Sequence, residues 1–292
     1  MTTISSSDRP GRRGASSPGA APGVPAAPRG RCRRRPLRGR LLTIYTWVVI
    51  CWLCLPIAVM ILFGFNDTRG RFNNTWQGFT FKWYGQLFQV QDLTNAMRNS
   101  LVIALITMLL AGGIGTMVGL ALGRYRFRGA GPTNLMMFAA ISSPEIVLGA
   151  SLLSLFVTLN VPLGFGTIVI SHVMFAVSFV AVTVRARVMT LDPALEEAAR
   201  DLGAGTWATF RYITFPMIFP GVLAGGLLAF ALSIDDFVIT SFNAGGSMTF
   251  PLWIWGATKV GLPPQVNVMG TLIFAGGVVL AIGTAMAGRR RG

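Results

Sequence analysis

The sequence predicts an all-α, polytopic membrane protein that crosses the bilayer six times. Three observations predict it. Of 292 residues, 52% are hydrophobic and only 12% charged, a balance foreign to a large soluble domain. The apolar residues gather in runs of roughly 20, the length a helix needs to cross a hydrocarbon layer about 30 Å thick. Lys and Arg segregate between the polar segments: with the N-terminus inside, 20 of the 25 lie on its side and five, Arg69, Arg71, Lys82, Arg98 and Lys259, on the other. That asymmetry fits an even number of spans with both termini cytoplasmic.

Residues 1–36 are rich in Ser, Pro, Gly, Ala and Arg, cannot bury a core and are expected to form a disordered basic cytoplasmic tail. The uncharged run 41–65 exceeds the apolar region of a signal peptide and reads as a retained first transmembrane helix. Residues 66–99 read as a polar loop whose Trp76, Trp83 and Tyr84 suit the membrane interface. The second span, 100–122, leads into GRYRFRG (123–129) and carries Gly115, Gly119 and Gly123 at four-residue spacing, which lets another helix come close. The third, 134–158, is interrupted by Ser142-Ser143-Pro144-Glu145. A tight turn at 160–165 precedes the fourth, 167–184. The fifth, 217–240, the sixth, 268–287, and an outer loop with Trp253, Trp255 and Lys259 complete a core, 66–288, of five spans.

Between the fourth and fifth spans lies a charged interruption, 185–216. Asp192 is a good N-cap and Pro193 suits the first helical position, so a short helix is predicted from there to Gly203. Leu191, Leu195, Ala198 and Leu202 form an apolar stripe on it. Glu196 and Arg200 are an i,i+4 pair on the polar side, and Ala198-Ala199 leave a flat face that another backbone can approach. After Gly203-Ala204-Gly205, Thr206 can cap a second short helix toward Ile213, and Pro216 opens the next span. Periodicity alone leaves two readings, a solvated loop or a docking element.

Residue identity favours docking. Glu197-Ala198-Ala199, three residues, Gly203, nine residues, then Ile213-Thr214-Phe215-Pro216 resembles the EAA loop of ABC-importer permeases, with Phe215 where the usual I-x-L-P ending has Leu. Pro144-Glu145-Ile146-Val147-Leu148-Gly149, Ser233-Ile234-Asp235-Asp236-Phe237, Pro251-Leu252-Trp253-Ile254-Trp255, Pro263-Pro264-x-Val266-Asn267 and Trp83-Tyr84 are similar to the spermidine/putrescine-type permeases. The resemblance covers about 41–288. It implies the type I ABC importer permease fold in a bacterial inner membrane and import of a polyamine, with opines, amino-acid derivatives or other small solutes as the alternatives. It also implies partner ATPase subunits that bind ATP and Mg, a second permease subunit, expected to be a different chain, and an extracytoplasmic solute-binding protein. Coupling to the ATPase falls to Glu197, Ala198, Ala199, Gly203 and Pro216, with Glu196 beside them.

Several function classes recede. The formal charge of +15 would suggest nucleic acid in a soluble protein, but ten arginines precede residue 41 and none stands among interleaved aromatics. The only lysines, Lys82 and Lys259, stand in no GxxxxGK[ST] phosphate loop, so the chain holds no Walker A site, and no cofactor is expected in it. His172 is the sole histidine, which excludes a His-rich metal site and favours a packed or helix-bridging imidazole. Cys51 and Cys54 read as packing thiols. Glu145, Asp235 and Asp236 fall in or beside apolar spans, where a carboxylate costs roughly 3 kcal/mol and commonly faces a cavity, partner or pathway. No Lys or Arg in those spans neutralises them, so a cationic substrate could. The bland alternative has Glu145 protonated or capping a helix and the aspartates near the outer interface in reach of water. An ion-coupled secondary transporter would instead show repeated halves with breaks at corresponding positions, and only Pro144 marks a clear break.

Overall fold

A computed structural model describes residues 37–70 and 72–289. The basic tail 1–36 lies outside the described residues, as do Arg71, Arg290 and Arg291. In chain order the helices are α1 (Leu37–Phe63), α2 (Lys82–Gly85), α3 (Gln91–Arg124), α4 (Ala130–Ser142), α5 (Glu145–Thr158), α6 (Phe165–Val188), α7 (Ala194–Asp201), α8 (Thr206–Thr209), α9 (Phe215–Ile234), α10 (Val238–Asn243), α11 (Phe250–Ala257) and α12 (Pro264–Arg289). Among the described residues β pairing is confined to one isolated bridge, Asn66 to Phe79. The described residues fall into two compact units that divide between Trp52 and Leu53.

Among the described residues four helices are long and apolar enough to cross a membrane: Leu41–Phe63, Gln91–Arg124, Phe165–Val188 and Thr206–Ile234. α4 and α5 make a fifth span if taken together, but they bend by 109° at their junction. The predicted interruption there is real and has a simple cause. Pro144 has no N–H and forces Ser143 out of the helical region, to φ −73°, ψ 133°. Pro264–Val279, the apolar part of α12, is shorter than the other spans.

α3, α6 and α9 pack together around Ala111, Ala176, Val180, Val184, Ile218 and Ala229. Their closeness comes from glycine. A Cβ on Gly115 would lie 2.6 Å from Val180 Cβ, one on Gly119 2.6 Å from the Ala181 carbonyl oxygen, and one on Gly123 2.8 Å from Val188 Cγ1. The four-residue spacing therefore marks one contact seam between α3 and α6.

α3 begins at Gln91, well before the predicted start at residue 100. The extension is polar in composition yet helical in pattern: Leu93 and Ala96 are fully buried, with Ser100 one turn on. Phe250 N–H donates to Ser100 Oγ at 2.9 Å and Asn99 Nδ2 donates to the Met248 carbonyl at 2.9 Å, so contact with α11 keeps these turns ordered. The predicted outer loop around Trp253 is itself helical, as α11. The loop after α1 is organised on Asn66, which is fully buried. Its Nδ2 donates to Asn73 Oδ1 and the Thr75 carbonyl, and its Oδ1 accepts from Gln77 N–H, each at 2.7 Å. Trp83 Nε1 donates to the Asn66 carbonyl at 2.8 Å, which gives Trp83 a structural task beyond interface anchoring. Cys51 and Cys54 are unpaired and exposed on α1 rather than packed inside the chain.

Two further departures concern α9. The helix predicted after Thr206 does not stand apart: α8 runs through a widened π turn, Phe210–Thr214, straight into α9. Pro216 and Pro220 lie in the turns that follow, and a wide turn is where a helix absorbs such irregularity. At its other end α9 stops at Ile234, short of residue 240. Asp236 causes this by capping α10: its Oδ2 accepts from Thr240 N–H at 2.8 Å and its Oδ1 from Ile239 N–H at 3.4 Å.

The seam yields a direct check. Gly119→Ala forces α3 away from the Ala181 carbonyl and is expected to cost about 1–3 kcal/mol, read as a lower melting temperature of the detergent-purified protein. Gly113→Ala, where nothing lies within 4 Å of the added Cβ, should be neutral or slightly stabilising because alanine favours helix. Equal melting of the two variants would contradict the seam.

Candidate functional site

The charged segment between α6 and α9 is built by local rules. Asp192 Oδ1 accepts from Ala194 N–H at 3.0 Å and so starts α7. The helix ends where Gly203 adopts φ +84°, a left-handed conformation that costs glycine nothing. Gly203 N–H then donates to the Arg200 carbonyl and Ala204 N–H to the Ala199 carbonyl, at 2.9 and 3.0 Å. Beyond the turn, Pro216 sits in the first turn of α9.

The side chains of α7 divide into two sets. Glu197, Ala198 and Leu195 are exposed, and Leu202 is 89% exposed. Trp207 and Tyr212, just beyond, are exposed as well. Only the beginning of the predicted stripe closes on the protein itself: Leu191 packs against the α3–α6–α9 core, and Ala199 is buried. Glu196 points the other way. Arg124 Nη2 and Nε, at the end of α3, reach its Oε2 at 2.8 and 3.2 Å, while Thr214 Oγ1 donates to its Oε1 at 2.9 Å. The Arg200 guanidinium, expected as its partner, stands 4.0 Å away. Partial burial of Glu196 opposes the charged form, but the bonds from Arg124 and Thr214, with the charges of Arg124 and Arg200, outweigh it and hold the carboxyl below the ordinary glutamate range. Arg124 lies 72 residues from Glu196, and no local pattern in the sequence pairs them.

A second polar group lies where α6 meets the break between α9 and α10. His172 is 3% exposed. Its Nδ1 is 2.7 Å from Ser233 Oγ, and its Nε2 is 2.9 Å from Thr240 Oγ1 and 3.2 Å from Asp236 Oδ2. Thr240 Oγ1 donates to the same Asp236 oxygen at 2.8 Å, and Ser233 Oγ stands 3.4 Å from Thr107 Oγ1 on α3. The imidazole thus bridges helices, one of the two roles expected for it. Asp236 is buried and engaged, so water contact at an outer interface does not describe it. Its partner was hidden by a separation of 64 residues.

Glu145 and Asp235 are exposed. Each stands at a helix break, Glu145 opening α5 and Asp235 closing α9. α5 and α10 lie against each other through Gly149, whose added Cβ would be 3.3 Å from Ile239 Cα, and Asn243 Nδ2 donates to the Gly149 carbonyl at 3.3 Å. Beside Asp235 opens a cavity of about 530 Å³ walled by Phe237, Ile254, Trp255 and Phe274. The Phe237 and Trp255 rings are 5.3 Å apart, and Lys259 Nζ lies 5.7 Å from the Trp255 ring centre. A carboxylate beside aromatic faces is chemistry suited to an ammonium group.

The chain has clear relatives. The family described as "Binding-protein-dependent transport system inner membrane component" matches residues 111–288. The spermidine/putrescine transport system permease protein PotC of Escherichia coli (strain K12) is 40% identical over 256 residues, 87% of this chain and 95% of that protein. The putrescine transport system permease protein PotI of the same strain is 37% identical over 230 residues, 76% of this chain and 81% of that one. Among solved structures, a chain of a bacterial ABC transporter involved in import of the acidic polysaccharide alginate aligns with TM-score 0.63 at 15% identity, over 89% of this chain and 99% of its own length. A chain of an amino acid ABC transporter aligns with TM-score 0.55 at 13% identity, over 72% and 99%. At such identities the likeness is one of fold.

The buried cluster can be probed by itself. His172→Leu leaves Asp236 without its imidazole and is expected to cost about 3 kcal/mol, measured by denaturant titration of the purified protein. Glu197→Gln, on the exposed face, should change stability by less than about 0.5 kcal/mol. A His172 variant as stable as wild type would show that the cluster does not hold these helices.

Proposed function

Because the chain belongs to the family of binding-protein-dependent transport system inner membrane components, we propose that it is the permease of an ATP-driven importer of polyamines, putrescine or spermidine. The observation that carries the substrate is the 40% and 37% identity to permeases named for those two amines. The exposed carboxylates of Glu145 and Asp235 at the two helix breaks support it, since both substrates are cations at neutral pH and opposite charge offsets the cost of a carboxylate beside apolar spans.

In this reading α1, α3, the α4–α5 pair, α6, α8–α9 and α12 are six spans with both termini cytoplasmic. The α6–α9 segment then faces the cytoplasm, on the side of ATP. The exposed row Leu195, Ala198 and Leu202, with Glu197 on the same short helix, docks on a partner ATPase, and Ala199, buried against this chain, lets the helix lie close to its own core. Gly203 and Pro216 set the turn and the re-entry into α9. ATP and Mg are bound and hydrolysed by that partner. A second permease chain supplies the other half of the path, and an extracytoplasmic binding protein delivers the amine. Closing of the ATPases on ATP draws the two loops together and opens the cavity outward; hydrolysis resets it.

Uptake of labelled putrescine and spermidine, with unlabelled opines and amino acids as competitors, tests the reading in cells with and without this chain. Deletion should abolish polyamine uptake. Wild type should restore it, and Gly203→Pro should not, although that variant still inserts. Glu145→Gln or Asp235→Asn should raise the half-saturating concentration roughly tenfold, the equivalent of about 1.4 kcal/mol. Unchanged polyamine uptake on deletion would overturn the substrate, and full restoration by Gly203→Pro would overturn the coupling role of the loop.

A further inference from the structure

The helix α7 is joined to the rest of the chain at both ends by short links. Before it run Met189 to Pro193, a non-helical stretch after α6. After it come Leu202, Gly203, Ala204 and Gly205; nothing lies within 4 Å of where a Cβ would stand on either glycine, and the backbone bonds of Gly203 and Ala204 run back into α7 itself rather than to α3 or α9. Such links transmit displacement poorly. Ala199 and Leu191 pack inward, but apolar contact is not directional, and the Glu196 carboxylate is placed to add directed bonds. One of its oxygens receives two bonds from Arg124 at the end of α3, and the other receives the hydroxyl of Thr214 in the π turn that opens into α9. A single carboxylate thus joins three elements.

Exposed ion pairs generally contribute little, because water and salt screen them and side-chain entropy opposes them. This one differs in two respects. The Arg124 and Glu196 side chains are only 18% and 14% exposed, and both carboxylate oxygens are engaged, which fixes the orientation. The neighbouring arginines tie other helices: Arg185 Nη1 donates to Asn134 Oδ1 of α4, and Arg187 Nε donates to the Met217 carbonyl of α9 at 3.0 Å. α3 is reached through Arg124.

We propose that Arg124 and Thr214 are positioning residues for transport, binding the Glu196 carboxylate so that α7, the end of α3 and the first turns of α9 move as one body. The inference rests on the coupling reading above and adds the route: motion imposed on α7 by an ATPase enters α3 through Arg124 and α9 through Thr214. The exposed row on α7 makes the docking contact, and the opposite side of the helix carries the motion onward.

The test uses the assembled transporter in proteoliposomes, with ATP hydrolysed per polyamine imported as the readout and co-purification of the ATPase as a second. Arg124→Gln and Glu196→Gln should leave the ATPase bound and hydrolysing, yet raise the ATP used per substrate by at least about fivefold, the low end of ordinary coupling energies. The exchange Arg124→Glu with Glu196→Arg should bring the ratio back toward wild type, which a merely space-filling role would not do. Should Arg124→Gln not assemble, Thr214→Val, which removes a hydroxyl donor at nearly constant shape, decides in the same way. A wild-type ratio in the variants that assemble, or loss of the ATPase from the Thr214→Val complex, would overturn the proposal. Ala198→Trp separates the two levels: if it uncouples while the Arg124, Glu196 and Thr214 variants do not, only the clamp fails; if it too leaves coupling and ATPase binding intact, the coupling reading fails.

Discussion

Hydrocarbon offers no hydrogen bonds, so a helix that breaks within it must carry its own partners. Among the described residues an apolar stretch breaks at Ser143-Pro144 and again at Asp235-Asp236-Phe237. The second break depends on Asp236, which caps α10 and is itself held by His172 and Thr240. That arrangement puts a carboxylate, an imidazole and hydroxyls between α6 and α9–α10, with Thr107 of α3 within reach of Ser233. Everything placed near the breaks, Glu145 and Asp235 above all, inherits its position from this buried group and from the contact of α5 with α10.

The remainder of the bundle is held by shape. The seam of Gly115, Gly119 and Gly123 lets α3 and α6 approach until carbonyl oxygen and valine carbons occupy the space of the missing Cβ atoms. Close approach maximises dispersion contact where the hydrophobic effect between helices is weak. Against this stiff core, α7 is small, charged and bounded by short links. Its apolar side chains find little of the chain to cover them, and its one inward carboxylate takes hold of α3 and α9. A short helix with an uncovered row on one side and a three-way tie on the other is suited to passing motion between a partner and the core.

What could be read from the sequence was local. Asp192-Pro193 and Gly203 announced both ends of α7, Pro144 announced the bend between α4 and α5, and four-residue glycine spacing announced the α3–α6 seam, because each is decided by the backbone chemistry of a few neighbouring residues. What was lost depended on separation or on competing signals. Asp236 with His172 and Arg124 with Glu196 are bonded across 64 and 72 residues, and nothing short-range pairs them. The first turns of α3 were hidden because residues 91–99 are polar, although Leu93, Ala96 and Ser100 recur at helical spacing. The end of α9 was misplaced because its apolar run continues past Asp236, where capping outweighs hydropathy.

The central claim is that the exposed side of α7 meets a partner ATPase on the cytoplasmic side of the membrane. Site-directed cross-linking tests it most directly, with Leu202→Cys introduced after Cys32, Cys51 and Cys54 are changed to serine. The account predicts an adduct between this position and the ATPase subunit, whose yield changes when ATP is added, and protection from membrane-impermeant thiol reagents applied outside intact cells. Modification from outside, with no adduct to the ATPase, would contradict it.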